Sequence, residues 1–235
     1  TLNNWYTTSA RSVVAAAPGG DYAISASTTL HAGWAGSASA QSALSVTSTL
    51  GTFGTSLTLA TAGGSGAGAV TYSVSNGTAT GCSVSGSTLT FASAGTCIVT
   101  ATKAADASFL VTSSAATTVT IQTKTVTVTA SNRSISFGGS LTPGYTAGAL
   151  VSSDAISTVT YTYQGTGSTT YGPSTTAPTA VGTYSITPAV TALSVGTLSN
   201  YNFSYTAGTL SIGLATLAEP SSVSSATTAG VLKSI

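Results

Sequence analysis

Short segments in which apolar and polar residues alternate at every second position recur along most of this chain, and they constrain its fold more than any other feature. The clearest is Lys124–Thr129, where Val126 and Val128 alternate with threonines. A period of two matches a β-strand with one buried and one solvated face. Turn-forming residues separate these segments at intervals of about 8–12 residues, as in β-sandwiches. The sequence therefore predicts an all-β chain of two tandem β-sandwich or β-grasp-like domains, with an N-terminal extension that carries an extra strand.

Charged residues are scarce in this chain. Lys and Arg number 5, Asp and Glu number 4, and together they make up 4% of the residues, against about 25% in an ordinary soluble domain. Five scattered cations cannot form the basic stripe that nucleic acid requires, which excludes that partner. A calcium site needs clustered carboxylates and a structural zinc site needs four N or S ligands, so we expect no metal and no cofactor. Since no apolar run reaches about 18 residues, we also expect no membrane span.

The residues that perform acid–base chemistry are equally few. His31 is the only histidine, and the four acids are far apart in the sequence. Nucleophilic and glycosidic hydrolysis both need an acid or base brought against a partner group. We therefore predict that the chain is not an enzyme. The acids are Asp21, Asp106, Asp154 and Glu219.

The pattern divides the chain into four parts. An extension at 1–42 precedes a first domain at 43–122, a second domain at 123–213 and a tail at 214–235. Residues 51–54 (GTFG) are predicted to form a turn. The predicted strands are 44–46, 57–59, 70–74, 82–84, 88–91, 97–101 and 117–121 in the first domain, and 124–129, 158–163, 182–187, 201–205 and 208–212 in the second.

One strand pattern lies in the extension, at residues 21–31. Apolar or long side chains alternate there with small polar ones, and a lone strand cannot bury its face. It could pair with the open sheet edge of another copy, pack within its own chain, or form a flexible leader. The residues of this candidate donor-strand interface are Tyr22, Ile24, Ala26, Thr28 and Leu30.

The two cysteines, Cys82 and Cys97, lie in two neighbouring predicted strands. They form either a disulfide or two buried thiols. A bridge that closes a loop of this size would add on the order of 3 kcal/mol, and small extracellular cores often use such bridges. Because the chain starts at Thr1 and contains no Met, we expect it to be a processed segment whose secretion signal has been removed.

Three segments of the first domain resemble a bacterial Ig-like repeat of large secreted surface proteins. They are Thr49–Gly54 (TLGTFG), Ala69–Val74 (AVTYSV) and Ala94–Lys103 (AGTCIVTATK). The resemblance implies that they are strands of a β-sandwich and that Cys97 pairs with Cys82.

The second domain resembles the MBG-type repeat of bacterial adhesins. The matching segments are Val126–Ala130 (VTVTA), Phe137–Pro143 (FGGSLTP), Val181–Pro188 (VGTYSITP) and Asn200–Ile212 (NYNFSYTAGTLSI). Such repeats occur in arrays that extend a protein away from the cell. The resemblance implies a structural or adhesive role at the bacterial surface and transfers no catalytic residues.

The scarcity of charged residues also leaves sheet edges without the Lys and Glu residues that usually block pairing between molecules. We therefore predict a structural subunit of an extracellular bacterial surface filament, which assembles with copies of itself by β-strand addition. The alternative is a stalk segment of an adhesin whose Tyr-rich second domain contacts a polysaccharide or a host surface. Tyrosine suits sugars because it offers a flat apolar face with a polar tip.

Overall fold

The computed structural model describes residues 38–215 and, ahead of them, three strands at residues 2–6, 14–16 and 31–34. The prediction of an all-β fold is confirmed, since the one helical element among these residues is a 3₁₀ turn at Leu198–Asn200. None of them forms a helix long and apolar enough to cross a membrane.

The described residues form two compact units. The first unit holds those up to Lys124 together with Ser199–Tyr201. The second unit holds Thr125–Leu198 and the described residues from Asn202 onward. The domain limits expected from the sequence stay a prediction.

The first strands form a small antiparallel sheet in the order β2-β1-β3. They are β1 (Leu2–Tyr6), β2 (Val14–Ala16) and β3 (His31–Trp34). Of the predicted donor strand, only His31 is among the described residues, as the first residue of β3.

Three further sheets build the first unit. The largest has the order β12-β11-β13-β5, with β8 paired to the other edge of β11; the other two are β6-β10-β9 and β4-β7. The strands are β4 (Ser45–Val46), β5 (Leu50–Thr52), β6 (Leu57–Thr58), β7 (Thr61–Ala62), β8 (Val70–Asn76), β9 (Ser83–Ser85), β10 (Thr88–Thr90), β11 (Gly95–Lys103), β12 (Thr112–Ser113) and β13 (Thr117–Gln122).

The core of the first unit follows the alternation of β11 and β13. Alternate residues of β11 are fully buried, and β13 contributes its own alternate pair in the same register. Most of the side chains that these two strands bury are small, so they contribute little apolar area per residue. They are Cys97, Val99, Ala101, Val119 and Ile121, and the other strands and loops of the unit add Leu44, Val46, Phe53, Leu59 and Leu89.

The turn predicted at 51–54 is wrong in its first half. Gly51 and Thr52 belong to β5, which pairs in parallel with Thr120–Gln122, and the turn begins only at Phe53. A Cβ atom on Gly51 would lie 3.2 Å from Cδ1 of Ile121 and 3.4 Å from Cζ of Phe91. This glycine therefore serves close packing inside a strand, which a local turn signal cannot distinguish from a turn.

Two sheets form the second unit, in the orders β16-β14-β19 and β15-β20-β18-β17. β15 and β20 are parallel, and the other pairs of the second sheet are antiparallel. The strands are β14 (Lys124–Ala130), β15 (Arg133–Ser136), β16 (Tyr145–Ala147), β17 (Ala155–Gly165), β18 (Gly182–Val195), β19 (Tyr201–Thr206) and β20 (Gly208–Gly213).

Aromatic side chains fill much of the second core. Tyr163 and Tyr184 are buried among Ala130, Ile186, Leu210 and Ile212. The Tyr184 hydroxyl donates to the carbonyl of Ala180 at 2.7 Å, and its ring meets Tyr171 edge to face at 5.7 Å. A buried Tyr needs such a partner for its hydroxyl.

Strand β18 continues well past its predicted end, through Pro188. Proline is compatible with this strand because Pro188 lies opposite Tyr161, at a position where neither residue bonds across the pair. The absent N–H of Pro188 therefore breaks no bond to β17. The short strands β15 and β16 were not predicted, since three or four residues carry little periodicity.

Candidate functional site

The outer edge of β8 is the candidate site of the first unit. β8 pairs with β11 from Val70 to Asn76 without a register shift. At its two ends the amide of Ala104 donates to the carbonyl of Ala69, and the amide of Gly77 donates to the carbonyl of Thr96. These bonds fix the odd-numbered residues as those that bond to β11. The N–H and C=O groups of Val70, Tyr72 and Val74 therefore point away from the sheet.

No strand of the described part of the chain covers these outward groups, because β11 is the one partner of β8 there. The strand carries no charge and no proline (VTYSVSN). Natural sheet edges are commonly protected by Lys, Pro, a bulge or a covering loop. Within the described residues the β8 edge has no Lys, no Pro and no register shift, and no second strand pairs with it.

The alternation of β8 explains its place in the sheet. Val70, Tyr72 and Val74 are half-buried on the inner face, while Thr71, Ser73 and Ser75 are exposed. The Tyr72 hydroxyl donates to the carbonyl of Leu59 at 3.3 Å, which ties the inner face to the loop after β6.

The start of β8 is held by polar contacts to the loop before it. The carboxylate of Asp106 accepts from the amides of Ala67, Ser108 and Phe109. These backbone hydrogen bonds, first that of Ser108, hold the pKa of Asp106 below its ordinary value. Gln41 accepts from the amide of Gly66 and donates to the carbonyls of Ala104 and Leu110.

The end of β8 is held by the predicted disulfide. The structure contains the Cys82–Cys97 bridge, with an S–S distance of 1.99 Å and Cα atoms 6.0 Å apart. Cys97 lies opposite Asn76 in the register, and the Asn76 side chain accepts from the amide of Cys82 at 2.9 Å. Both ends of the open edge are thus fixed, which leaves the strand pre-organised to accept a partner.

The second unit has an open edge of a different kind, on β17. Tyr163 exchanges both backbone bonds with Ser174, and the amide of Gly165 donates to the carbonyl of Tyr171. This covers the end of the strand. Its first half contains register shifts between Ala155 and Ile156, between Ile156 and Thr158, and between Thr158 and Val159. In the part of β17 that pairs with β18 in regular register, two residues have backbone N–H and C=O groups that point away from β18 and lack a partner in the described residues. They are Val159 and Tyr161.

The predicted donor-strand residues Tyr22, Ile24, Ala26, Thr28 and Leu30 lie outside the described residues, so their role stays a prediction. The described residues contain no group of three or more His, Cys, Asp or Glu side chains that could hold a metal. Asp106 and Asp154 are the acids among them, and Asp106 is occupied by backbone amides.

An apolar pocket of ≈ 270 Å³ opens in the second unit, between β15 and the loop before β18. Its polar side chains are Ser136 and Thr179, and no charged side chain lines it. This pocket offers no group for acid–base chemistry. Its apolar lining consists of Ile135, Leu141, Ala177, Pro178 and Ile212.

One comparison with known families matches the second unit. Residues 126–211 match the family model of the MBG domain (YGX type). The MBG domain is a structural repeat of bacterial surface and adhesin-like proteins and is not a known enzyme family. Its match supports the MBG-type repeat predicted for this region, whereas the Ig-like resemblance of the first domain stays a prediction. No curated protein and no solved structure matches the chain.

Sequence reasoning identified β8 as a strand but did not identify its outer edge as a site. Edge position depends on the strand order, which alternation alone does not give. The available signal was the composition of VTYSVSN, since a strand without charge or proline lacks the usual protection of an edge.

Proposed function

We propose that this protein is a non-enzymatic structural subunit of an extracellular bacterial surface fibre, and that copies associate by β-strand addition at the edge of β8. The observation that carries the proposal is the regular, uncharged edge from Val70 to Val74, with which no further strand of the described part of the chain pairs. The MBG match of residues 126–211 supports the surface setting.

Strand addition at this edge follows ordinary β-sheet chemistry. An incoming strand would bond to the outward N–H and C=O groups of Val70, Tyr72 and Val74, and these main-chain bonds would supply affinity. Specificity would come from side chains that extend the inner face of the sheet. Since a contact between a strand of one copy and an edge of the next does not close on itself, it builds a fibre.

The donor that we propose is the predicted strand at 21–31 of another copy, and its last residue, His31, would leave its pairing with Tyr6 of β1. The residues that alternate on one face of this segment are Tyr22, Ile24, Ala26, Thr28 and Leu30. In a paired strand they would continue the inner face of the sheet, next to Val70, Tyr72 and Val74. Between Tyr22 and Leu30 the donor carries no charge, so no charged group would be buried by pairing.

Electron microscopy and light scattering of the purified chain test this proposal. The intact protein should form fibres with a regular axial repeat. A variant that lacks residues 1–37 keeps Ser39 and Gln41, which bond to the first unit, and should stay monomeric. Adding a peptide of residues 21–31 to that variant should saturate at one peptide per chain. Unchanged fibre formation by the deletion variant would exclude the donor segment.

The second candidate function is that of an adhesin stalk whose second unit contacts a polysaccharide. It is favoured by three side chains of that unit, Arg133, Tyr145 and Tyr161, which lie near one another. A monodisperse, elongated monomer at all concentrations, together with saccharide binding, would favour the stalk over the fibre.

A further inference from the structure

Arg133 occupies an unusual position for the one cation among the described residues of the second unit. It is the first residue of β15 and lies opposite Leu210 of β20, whose side chain is fully buried. Neighbours in register point to the same face of a sheet, so the Arg133 side chain starts on the core face. It is nevertheless exposed, because it stands where the core ends.

Two tyrosines share this end of the core. Tyr145 lies opposite the buried Ala130 in the other sheet and is 36% exposed. Tyr161 follows the alternation of the buried Tyr163 and packs, half-buried, against the cluster that includes Ala130. Inward-facing residues of both sheets of the second unit therefore meet at an end of its core that is open to solvent.

The guanidinium of Arg133 lies close to the chain beside Tyr145. A Cβ atom on Gly144 would lie 2.6 Å from Nη2 of Arg133, so the guanidinium lies directly against the backbone of Gly144. Burial raises the pKa of Tyr161, the neighbouring Tyr145 raises it further, and Arg133 lowers it. The three side chains thus lie within electrostatic reach of one another.

Their polar ends are not used by the rest of the described chain. No hydrogen bond of the described residues engages the Arg133 guanidinium or the hydroxyls of Tyr145 and Tyr161. The only carboxylate among the described residues of the second unit is that of Asp154, which directly precedes β17 and lies against Gly196, the residue after β18. An arginine with unused donors beside two partly exposed aromatic rings can bind an anion that also has an apolar face.

We propose that Arg133, Tyr145 and Tyr161 form a subsite for a carboxylated sugar residue of an acidic polysaccharide. The guanidinium fork matches a carboxylate in a bidentate geometry. A tyrosine ring offers a flat surface to the apolar face of the sugar, and its hydroxyl bonds to sugar hydroxyl groups. The subsite does not depend on strand addition, because all three residues belong to the second unit of one copy.

Calorimetric titration of the intact chain with trigalacturonate tests the proposal. Maltotriose is the neutral probe, and acetate is the probe for a carboxylate without a sugar. Trigalacturonate should bind saturably, weaken as salt is added, and bind at least about tenfold more tightly than either of the others, since a charge-assisted bidentate pair and the ring contact act together.

Three variants assign the binding to these residues. Arg133→Gln should weaken trigalacturonate binding about tenfold or more, Arg133→Lys should weaken it by less because the charge remains without the fork, and Tyr145→Ala should weaken it severalfold. Lys124→Gln is the matched control, which removes one positive charge elsewhere and should leave binding unchanged. A cooperative thermal unfolding transition shows that a variant is folded. If Arg133→Gln does not fold, the weaker binding expected of Arg133→Lys tests the proposal.

Equal binding of trigalacturonate and maltotriose would overturn the proposal, and so would equal losses in Arg133→Gln and Lys124→Gln. The absence of saturable binding would overturn it as well. Each of these results leaves the β8 proposal intact, because fibre formation is measured separately.

Discussion

Two sheet edges among the described residues, those of β8 and β17, differ in regularity and in cover. The β8 edge runs in unbroken register from Val70 to Asn76, and the described residues leave its outward groups without a partner. The β17 edge has three register shifts in its first half, and Ser174 pairs with its far end. Bulges and covering loops are means by which sheet edges avoid pairing with other molecules. The difference supports the proposal that β8, and not β17, is the edge that pairs between copies.

The largest expected effect comes from placing a charge on each edge in turn. Thr71→Lys puts a cation on the exposed face of β8 and should abolish fibres, because pairing would bring the lysine against the added strand. Thr160→Lys makes the same change on β17 and should leave fibres intact. Thr120→Lys is the control on the central strand β13. Sedimentation and electron microscopy measure the outcome, and loss of fibres in Thr160→Lys alone would reverse the assignment of the two edges.

A large stability effect is expected for the core that supports β17. Tyr184 pairs with Gly165 of β17 and is 1% exposed. Tyr184→Ala should lower the free energy of unfolding of the second unit by about 3–5 kcal/mol, as for other aromatic truncations. Tyr184→Phe should lower it by about 1 kcal/mol, since only the bond to Ala180 is lost. Urea unfolding monitored by hydrogen exchange measures the free energy of unfolding of both variants. Equal decreases in this free energy would show that the ring contributes nothing beyond its hydroxyl.

The disulfide should matter to the β8 side alone. Replacing Cys82 and Cys97 together by Ser should lower the free energy of unfolding of the first unit by about 3 kcal/mol, from the loop that the bridge closes. It should also speed amide exchange at Gly77, whose N–H donates to the carbonyl of Thr96, next to the bridge. Exchange in the second unit should not change. An equal loss of protection in both units would contradict this assignment.

The two units should respond to opposite ends of the pH scale. The pKa of Asp106 is lowered, so its contribution is present above about 3.8 and is lost as the pH falls through the folded value. The pKa values of Tyr161 and Tyr163 are raised, mainly by burial, so their contribution is complete below about 10.0 and is lost as the pH rises through the folded values. Thermal unfolding against pH measures both limbs. Asp106→Asn should remove the dependence at acid pH only. An unchanged acid limb would mean that the charge of Asp106 adds nothing to the hydrogen bonds that it accepts from the amides of Ala67, Ser108 and Phe109.

The sequence was sufficient for the elements with strong periodicity. β8, β11, β13 and β14 were predicted within a few residues because their alternation is regular. The turn at 51–54 was wrong in part because the parallel pairing of β5 with β13 is a tertiary contact. The Cys82–Cys97 bridge was foreseen as one of two alternatives and is present in the structure.

The sites were less accessible from the sequence than the strands. The open edge of β8 depends on strand order, and the position of Arg133 beside Tyr145 and Tyr161 depends on register between strands far apart in sequence. Local patterns carry neither kind of information. Composition gave a partial signal, since scarce charge indicated unprotected edges and seven of the 10 tyrosines lie in 145–205.

One pair of variants tests the central claim at a single backbone group. The amide of Val74 points outward, so Val74→Pro removes a donor from the open edge without breaking a bond to β11. Val74→Ala removes the side chain and keeps the donor, and it controls for lost packing. Electron microscopy and light scattering at matched concentration should show fibres for Val74→Ala and monomers for Val74→Pro, both with folded circular dichroism spectra. Fibres of normal length from a folded Val74→Pro variant would contradict strand addition at β8.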